Sequence, residues 1–319
     1  MKVNSRFAGI IIATGDTTNY TQINPLKKTG SIPVLQRMVD TLYSAGAYPI
    51  VIITGQDAWE VERYHANSGA VFLRAEDYKE LTMLQMIQGG CAYLEGKHKT
   101  VVVTSVEFPY FQAETVKTLA QSKCTAGISV FNNIEGFPVV LGNEMISLVG
   151  EVETDDNVLE FLKKQPELTS VETEDEGIIC RVEDTGRLPQ VLRQQKERQL
   201  RPYMKLEIGS EELVFDPRLK MLLFLLDETQ SMKTSSVHAS LSLGMAWEIL
   251  ETLERVMGCQ MVTRYRDRLH GGKDEDRASL NEAGRDFLTK YVKYERQLVR
   301  YANRTFEELF FGREEKETE

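Results

Sequence analysis

The first half of the chain alternates short apolar runs with amphipathic segments. Five runs have the length and β-branched content of strands, at residues 7–13, 48–55, 70–75, 100–106 and 125–131. Apolar residues recur at helical spacing over residues 31–45, 57–66, 80–94 and 113–122. This alternation predicts an α/β fold, with a mostly parallel sheet and helices on both faces. Ligands of such sheets bind beyond the carboxyl ends of the strands, so a site is expected in the loops after Ile12, Ile53 and Val103.

The pattern changes after about residue 193, where a charged segment gives way to helical segments. Helices are expected over residues 216–228, 233–241 and 242–256, followed by a strand-like run at 259–265 and a long helix over 281–310. A short strand is expected at 204–208. We place domains at residues 1–198 and 199–312, with an acidic tail at 313–319. Three short helices followed by a hairpin predict a mainly α winged helix-turn-helix domain with a long last helix.

Composition and charge narrow the possible functions. With 319 residues, of which 42% are hydrophobic, the chain can form more than one buried core. Its formal net charge of −10 gives no overall attraction to DNA or anionic lipid. The four cysteines form no CxxC pair, which favours a reducing cytoplasmic location. The sequence contains no apolar stretch of the roughly 20 residues that a membrane span needs, so no membrane association is expected.

Residues 7–190 carry an ordered series of motifs. The segments AGIIIATG, QRMVDTLYSAGAYPIVIITG, VVVTSVEFPYF and FPVVLGNEM occur in this order. Together they resemble the nucleotidyltransferases that attach CMP or GMP to the molybdenum-cofactor pterin. The resemblance implies a Rossmann-like nucleotidyltransferase sheet, CTP or GTP as the nucleotide, Mg²⁺ as the cofactor and a molybdopterin-type acceptor.

The first loop of that family has the form LAAGxSxRMGxxK, and it binds the triphosphate. Carried over, the resemblance implies nucleotide contacts from Ala13, Thr14 and Gly15. Asn19 stands where the family has Arg, and Asn24 stands where it has Lys, so both phosphate-binding cations are missing. Lys27 and Lys28 follow in the sequence, and solvated surface lysines are the favoured interpretation of this pair. A glycine after a first strand is also typical of a simple turn.

The family also holds its metal with two acidic residues. Glu107 stands at the metal-binding Asp position, and Asp184 belongs to the late Asp-Thr dipeptide. These two residues are therefore the candidates for Mg²⁺ ligands and for the catalytic carboxylates, although a solvated loop acid is the alternative for each. Asp77 lies where the family places groups near the nucleotide, and a helix N-terminus is the alternative for that segment.

Residues 205–310 resemble the DNA-binding domain of molybdate-responsive transcription regulators. The resemblance includes Ala246-Trp247 and the wing sequence Gly271-Gly272-Lys273. It implies DNA contacts from a recognition helix and a wing. The candidate contacts are Ser242, Arg264, Arg266 and Lys273. The acidic residues 274–276 follow the wing lysine and would repel a phosphate backbone.

The long last helix carries an apolar stripe. Its members recur at steps of three and four residues, namely Phe287, Tyr291, Tyr294, Leu298 and Tyr301. A helix of about thirty residues extends about 45 Å, which exceeds the size of a small winged domain. Part of the stripe should pack on its own domain, and the excess predicts a homodimer formed through these helices.

Three hypotheses follow from the sequence. The first is a Mg²⁺-dependent nucleotidyltransferase that acts on the molybdenum-cofactor pterin, with activity weakened or lost because the phosphate cations are missing. The second is a non-catalytic sensor that uses the nucleotide fold for a nucleotide or cofactor and the winged domain for DNA or protein contact. The third is a structural protein in molybdenum-enzyme maturation. The missing cations argue against the enzyme, and the acidic wing argues against tight DNA binding.

Overall fold

The chain divides into two compact units. The first contains residues 4–66 and 70–194, and the second contains mainly residues 195–319. The computed structural model describes residues 7–15, 23–29, 32–65, 68–152, 157–184, 206–211, 214–265 and 277–311. None of the helices within these ranges combines the length and apolar character needed to cross a membrane.

A seven-stranded sheet forms the centre of the first unit. In chain order, the strands of this unit are β1 (Ala8–Ala13), β2 (Lys28–Thr29), β3 (Ile32–Pro33), β4 (Ile50–Thr54), β5 (Val71–Arg74), β6 (Thr100–Ser105), β7 (Ala126–Phe131), β8 (Ile134–Gly142) and β9 (Leu168–Glu172). The sheet order is β5-β4-β1-β6-β8-β7-β9, and β2 pairs with β3 separately. Only β8 runs antiparallel to its neighbours in this sheet. The predicted mostly parallel α/β sheet is therefore confirmed.

Helices cover both faces of this sheet. They are α1 (Val34–Ala45), α2 (Ala58–Tyr64), α3 (Met83–Leu94), α4 (Ala113–Gln121), α5 (Asn143–Glu151) and α6 (Val158–Lys163). Ile10 of β1 touches α3 so closely that a Cβ on Gly90 would lie 2.8 Å from its Cδ1 atom. Ile11, the next residue, instead belongs to the core cluster that contains Leu35 and Met38 of α1. Because successive strand residues point to opposite faces, α3 and α1 pack on opposite sides of the sheet.

Two helices begin three residues later than predicted. The helix predicted from residue 31 begins at Val34, because Ile32 and Pro33 form β3 instead. The helix predicted from residue 80 begins at Met83. There Thr82 and Gln85 form a capping box, in which each side chain binds the other's backbone amide. The strand β8 was not predicted, since Gly136 and Pro138 interrupt its apolar pattern.

The second unit is mostly helical. Its elements are β10 (Ile208–Gly209), β11 (Val214–Phe215), α7 (Pro217–Thr229), α8 (Met232–His238), α9 (Leu243–Met257), β12 (Val262–Tyr265), β13 (Arg277–Leu280) and α10 (Glu282–Phe311). Asp216 caps α7, because its carboxylate accepts the amide hydrogen of Leu219 at 2.9 Å. The strands β12 and β13 pair antiparallel. The four helices lie close to their predicted positions, and residues 204 and 205 of the expected short strand lie outside the described residues.

Candidate functional site

The carboxyl ends of the central strands meet at one edge of the sheet. Beyond β4, the amide of Gln56 donates a hydrogen bond of 2.8 Å to the carbonyl oxygen of Thr14, which follows β1. Beyond β6, the amide of Val106 donates to the carbonyl oxygen of Ile12 at 3.0 Å. The segments that follow β4 and β6 are therefore held against the end of β1 by main-chain hydrogen bonds, at the edge where ligands of such sheets bind.

The loop after β1 begins with a buried threonine and a glycine, Thr14 and Gly15. Ala13 and Thr14 are buried, and the hydroxyl of Thr14 donates to the sulfur of Met86 at 3.5 Å. Gly15 adopts a left-handed conformation with φ of 76°. A Cβ there would also lie 3.1 Å from the Cβ of Gln56. The glycine is therefore needed for the turn itself, whether or not a phosphate approaches it.

Two of the polar residues expected near the nucleotide, Asn24 and Asp77, take part in hydrogen bonds of local turns. Asn24 is exposed, and its side-chain oxygen accepts the amide hydrogen of Leu26 at 2.8 Å, which closes its own turn. Asn19 lies outside the described residues. Asp77 is exposed in the turn between β5 and α3, where its carbonyl oxygen accepts the amides of Glu80 and Leu81.

The arginine at the end of β5 is already paired. Arg74 donates two hydrogen bonds to the carboxylate of Glu62, at 2.8 and 2.7 Å. Glu62 is buried and also accepts the hydroxyl hydrogen of Thr54, the last residue of β4, at 3.0 Å. The hydrogen bond to Glu62 raises the pKa of Arg74. This ion pair attaches the end of β5 to α2.

Glu107 and Asp184 belong to segments that are hydrogen-bonded to each other. Glu107 follows β6 and is buried, with only 4% of its surface exposed. Its carbonyl oxygen accepts the amide hydrogen of Val182 at 3.0 Å. Two residues later, the carboxylate of Asp184 accepts the amide hydrogen of Arg181 at 3.2 Å. The two acidic residues, which are far apart in sequence, therefore come from adjoining loops.

A buried aspartate attaches one of these loops to the other. Asp175 accepts hydrogen bonds from the backbone amide of Gln112 at 2.7 Å and from the hydroxyl of Thr115 at 2.7 Å. Burial raises the pKa of Asp175, and the hydrogen bonds from Thr115, Gln112 and Gly177 oppose this rise. A Cβ on Gly177 would lie only 2.1 Å from the carbonyl oxygen of Tyr110, so the close approach requires glycine. We call residues 175–184 the docked segment.

Arg181 is a site residue that the sequence did not single out. Its guanidinium carbon lies 5.3 Å from the centre of the Phe108 ring, directly after Glu107. Phe108 stacks in turn on Phe137 of β8, with ring centres 5.2 Å apart. The nearby Glu183-Asp184 pair drew attention to this segment, but a single arginine beside it gave no separate pattern.

The arrangement of possible metal-binding side chains limits the kinds of metal site that the described residues can form. Within the described ranges, no group of three or more His, Cys, Asp or Glu side chains is arranged as a metal site. A closed zinc site of four protein ligands is therefore not found there. Two carboxylates suffice for Mg²⁺, which is commonly held by one or two carboxylates together with substrate phosphates and water.

The candidate DNA-binding residues of the second unit are engaged within the unit. Ser242 caps α9, because its hydroxyl oxygen accepts the amide hydrogen of Met245 at 3.2 Å. Arg264 lies 4.4 Å from the centre of the Trp247 ring and pairs with the carboxylate of Glu251 at 3.2 Å. Arg266 and Lys273 lie outside the described residues.

Comparisons with solved structures show relatives of the first unit's fold. Rv0371c from Mycobacterium tuberculosis H37Rv matches with a TM-score of 0.51 and 14% identity, over 59% of this chain and 98% of that one. An Rv0371c homolog from Mycobacterium sp. strain JC1 matches with a TM-score of 0.50 and 15% identity, over 60% of this chain and 100% of that one. A nucleotidyl transferase from Methanothermobacter thermautotroptrophicus has a TM-score of 0.49 and 16% identity, over 60% and 100% of the two chains.

The sequence comparisons identify the family. A search of curated proteins finds no match to the chain. The model of the MobA-like NTP transferase domain, in contrast, matches residues 9–169, which make up half of the chain. This range runs from Gly9 of β1 past the end of β8 and includes both Gly15 and Glu107. The chain belongs to the MobA-like NTP transferase domain family.

Proposed function

We propose that the first unit binds a nucleoside triphosphate, CTP or GTP, together with Mg²⁺, at the edge where β1, β4 and β6 end. The observation that carries this proposal is the hydrogen bond between Val182 and Glu107, at 3.0 Å. It joins the docked segment, with Asp184, to the residue that follows the central strand β6. Family membership and the left-handed Gly15 in the first loop support the same assignment.

Glu107 and Asp184 are the residues that would hold the cation. Two carboxylates from adjoining loops match the donor set that Mg²⁺ uses when phosphate oxygens complete its coordination. The bound cation would neutralise charge on the phosphates. The chain itself would hold the nucleotide through the backbone of the Gly15 loop, and the two loops would orient their carboxylates toward the same region.

Transfer should be slow in comparison with binding. The reaction of the family would join the nucleotide's NMP group to a terminal phosphate of a molybdopterin-type acceptor, with pyrophosphate leaving. Asn19 and Asn24 carry no charge where the family uses Arg and Lys. Each lost charge-assisted contact to a phosphate costs about 1.5 to 3 kcal/mol. The side chain of Asn24 is in addition used by its own turn. We therefore propose a nucleotide-binding protein with little or no turnover.

Calorimetry tests the nucleotide and metal assignments together. Titration with CTP and GTP should show binding that strengthens when Mg²⁺ is added, and Glu107→Gln should remove most of that gain. Glu114→Gln is a matched control, because Glu114 is an exposed glutamate of the same unit in a surface pair with Lys117. Equal affinity with and without Mg²⁺ would refute the metal role of Glu107. Absence of binding under all conditions would refute the nucleotide proposal.

We also propose that the second unit is a winged helix-turn-helix module. The order α7, α8, α9 and then the antiparallel pair β12–β13 supports this assignment. Contact with DNA receives no support from Arg264, which is bound to Glu251 and stacked on Trp247. The module therefore fits a protein contact better than a phosphate backbone.

A second copy of the chain is the partner that we propose for α10. Its later part exposes large apolar side chains, among them Tyr301, Leu309 and Phe310. Arg304 and Glu308 form an ion pair within this helix at 3.7 Å, and an antiparallel copy would present the same two charges in reverse order. Tyr301→Glu combined with Leu309→Glu should convert a dimer into folded monomers in sedimentation experiments. A wild-type protein that remains monomeric at high concentration would overturn the proposal.

A further inference from the structure

An exposed arginine, Arg181, belongs to the docked segment that also carries the proposed metal ligand Asp184. Among the described residues, the guanidinium of Arg181 forms no ion pair. The carboxylate of Asp184 instead accepts the backbone amide of Arg181, at 3.2 Å. Arg74, at the end of β5, is in contrast bound to the buried Glu62. Within the part of the chain that the structure describes, Arg181 is thus an exposed positive charge that contacts the Phe108 ring and pairs with no carboxylate.

The position of Arg181 is fixed by the two loops rather than by the side chain alone. The carbonyl oxygen of Glu107 accepts the amide of Val182, the next residue after Arg181. At the other end of the docked segment, Asp175 is anchored on Gln112 and Thr115. The guanidinium rests on Phe108, whose ring is itself stacked on Phe137. A planar guanidinium on an aromatic face keeps its N–H donors free at the edges.

We propose that Arg181 binds a phosphate group of the nucleotide, in place of the cations that the first loop lacks. The inference rests on the proposed function, because it assigns a residue within the same site. A triphosphate that meets Glu107 and Asp184 needs positive charge beyond one divalent cation, and Asn19 and Asn24 provide none. The guanidinium supplies paired N–H donors that match phosphate oxygens in geometry as well as in charge.

Two probes separate the phosphate contact from recognition of the nucleoside. Binding of inorganic tripolyphosphate with Mg²⁺ measures the phosphate contact. Binding of cytidine, which has no phosphate, measures the contacts to the nucleoside. Arg181→Ala should weaken the binding of Mg²⁺-tripolyphosphate and Mg²⁺-CTP by about tenfold or more, and should leave cytidine binding unchanged. Arg181→Lys should keep part of the affinity, because it retains the charge but loses the planar pair of donors.

Arg63→Ala is the matched control variant. Arg63 is an exposed arginine of the same unit, and it lies 5.1 Å from the centre of the Trp59 ring. Its removal should change none of the three affinities. The melting temperatures of all variants should equal that of the wild type, because both arginines are exposed. This measurement checks that the fold is intact.

Each outcome separates this inference from the proposed function. If wild-type protein binds Mg²⁺-CTP and Arg181→Ala binds it equally well, the role of Arg181 is wrong while the nucleotide site stands. If Arg63→Ala weakens binding as much as Arg181→Ala, the effect is general surface charge and the inference is again wrong. If the wild type binds neither CTP, GTP nor tripolyphosphate, the proposed function fails and this inference fails with it.

Discussion

Each of the two units buries a basic side chain, and the two are accommodated in opposite ways. In the second unit, Lys220 of α7 is 6% exposed, and its ammonium donates to both carboxylate oxygens of Glu295, at 3.0 and 2.9 Å. In the first unit, His65 follows α2 and is 1% exposed. Neither of its ring nitrogens has a hydrogen-bond partner among the described residues.

The difference follows from the chemistry of the two side chains. A lysine near neutral pH keeps its charge unless burial is extreme, so its burial requires a carboxylate partner. A histidine can release its proton, and burial lowers the pKa of His65 from 6.5 to about 4. The stability that Lys220 contributes to the second unit therefore depends on a specific ion pair. The stability that His65 contributes to the first unit depends instead on the solution pH.

The largest expected effect comes from breaking the Lys220–Glu295 pair. Lys220→Met should lower the unfolding free energy of the second unit by about 3 kcal/mol, because it leaves a half-buried carboxylate without its partner. The double change Lys220→Met with Glu295→Met should recover most of this loss, since it removes the uncompensated charge as well. Urea unfolding is the measurement. The chain has two tryptophans, and Trp59→Phe leaves Trp247 as the reporter of the second unit.

A loss that the double change does not recover would show that packing, not charge, dominates at this position. Arg285→Ala provides a control on the same helix, because Arg285 pairs with Asp227 at 2.7 Å at an exposed position. That variant should lose less than about 1 kcal/mol.

Acidification should reveal the opposite behaviour of His65. Its pKa is lower in the folded state than in the unfolded state, so its contribution to stability is complete above pH 6.5 and is lost as the pH falls toward 4. Between these limits the first unit should lose about 3 kcal/mol through this residue. His65→Leu cannot be protonated and should lose correspondingly less.

The measurement compares urea unfolding of wild type and His65→Leu at neutral and acidic pH, followed by circular dichroism. Carboxylates that titrate in the same range affect both proteins alike, so the difference between the curves isolates His65. Parallel pH dependences of the two proteins would show that this imidazole gains its proton without unfolding the unit.

Much of the fold could be predicted from local pattern. The run AGIIIA of β1 is buried throughout, and such a run suits a strand covered on both faces. The first residues of α7 were equally clear, because Asp216-Pro217 combines a cap with a proline at the first helical position. Strand β8 could not be predicted, since its pairing with β6 and β7 arises from tertiary contacts that its glycine and proline conceal.

Less of the candidate site could be predicted. Glu107 and Asp184 were selected from motif positions, and their roles remain predictions. The docking of residues 175–184 depends on Asp175, whose hydrogen-bond donors lie 60 or more residues earlier in the chain. Sequence spacing carries no signal for such a contact. Arg181 was missed for the same reason, because its environment is formed by Phe108 and Phe137 from other segments.

The smallest expected effect concerns two exposed arginines, one in each unit, which differ in their partners. Arg264 and Arg181 both stack on an aromatic ring, but among the described residues only Arg264 also pairs with a carboxylate, that of Glu251. Arg264→Ala should therefore lower the unfolding free energy of the second unit by about 1 kcal/mol, the sum of a surface ion pair and a cation–π contact. Binding to duplex DNA, followed by fluorescence anisotropy, should change by less than about twofold, because the guanidinium is already engaged. A large loss of DNA affinity with unchanged stability would instead identify Arg264 as a phosphate contact, and it would restore the DNA-binding hypothesis for the second unit.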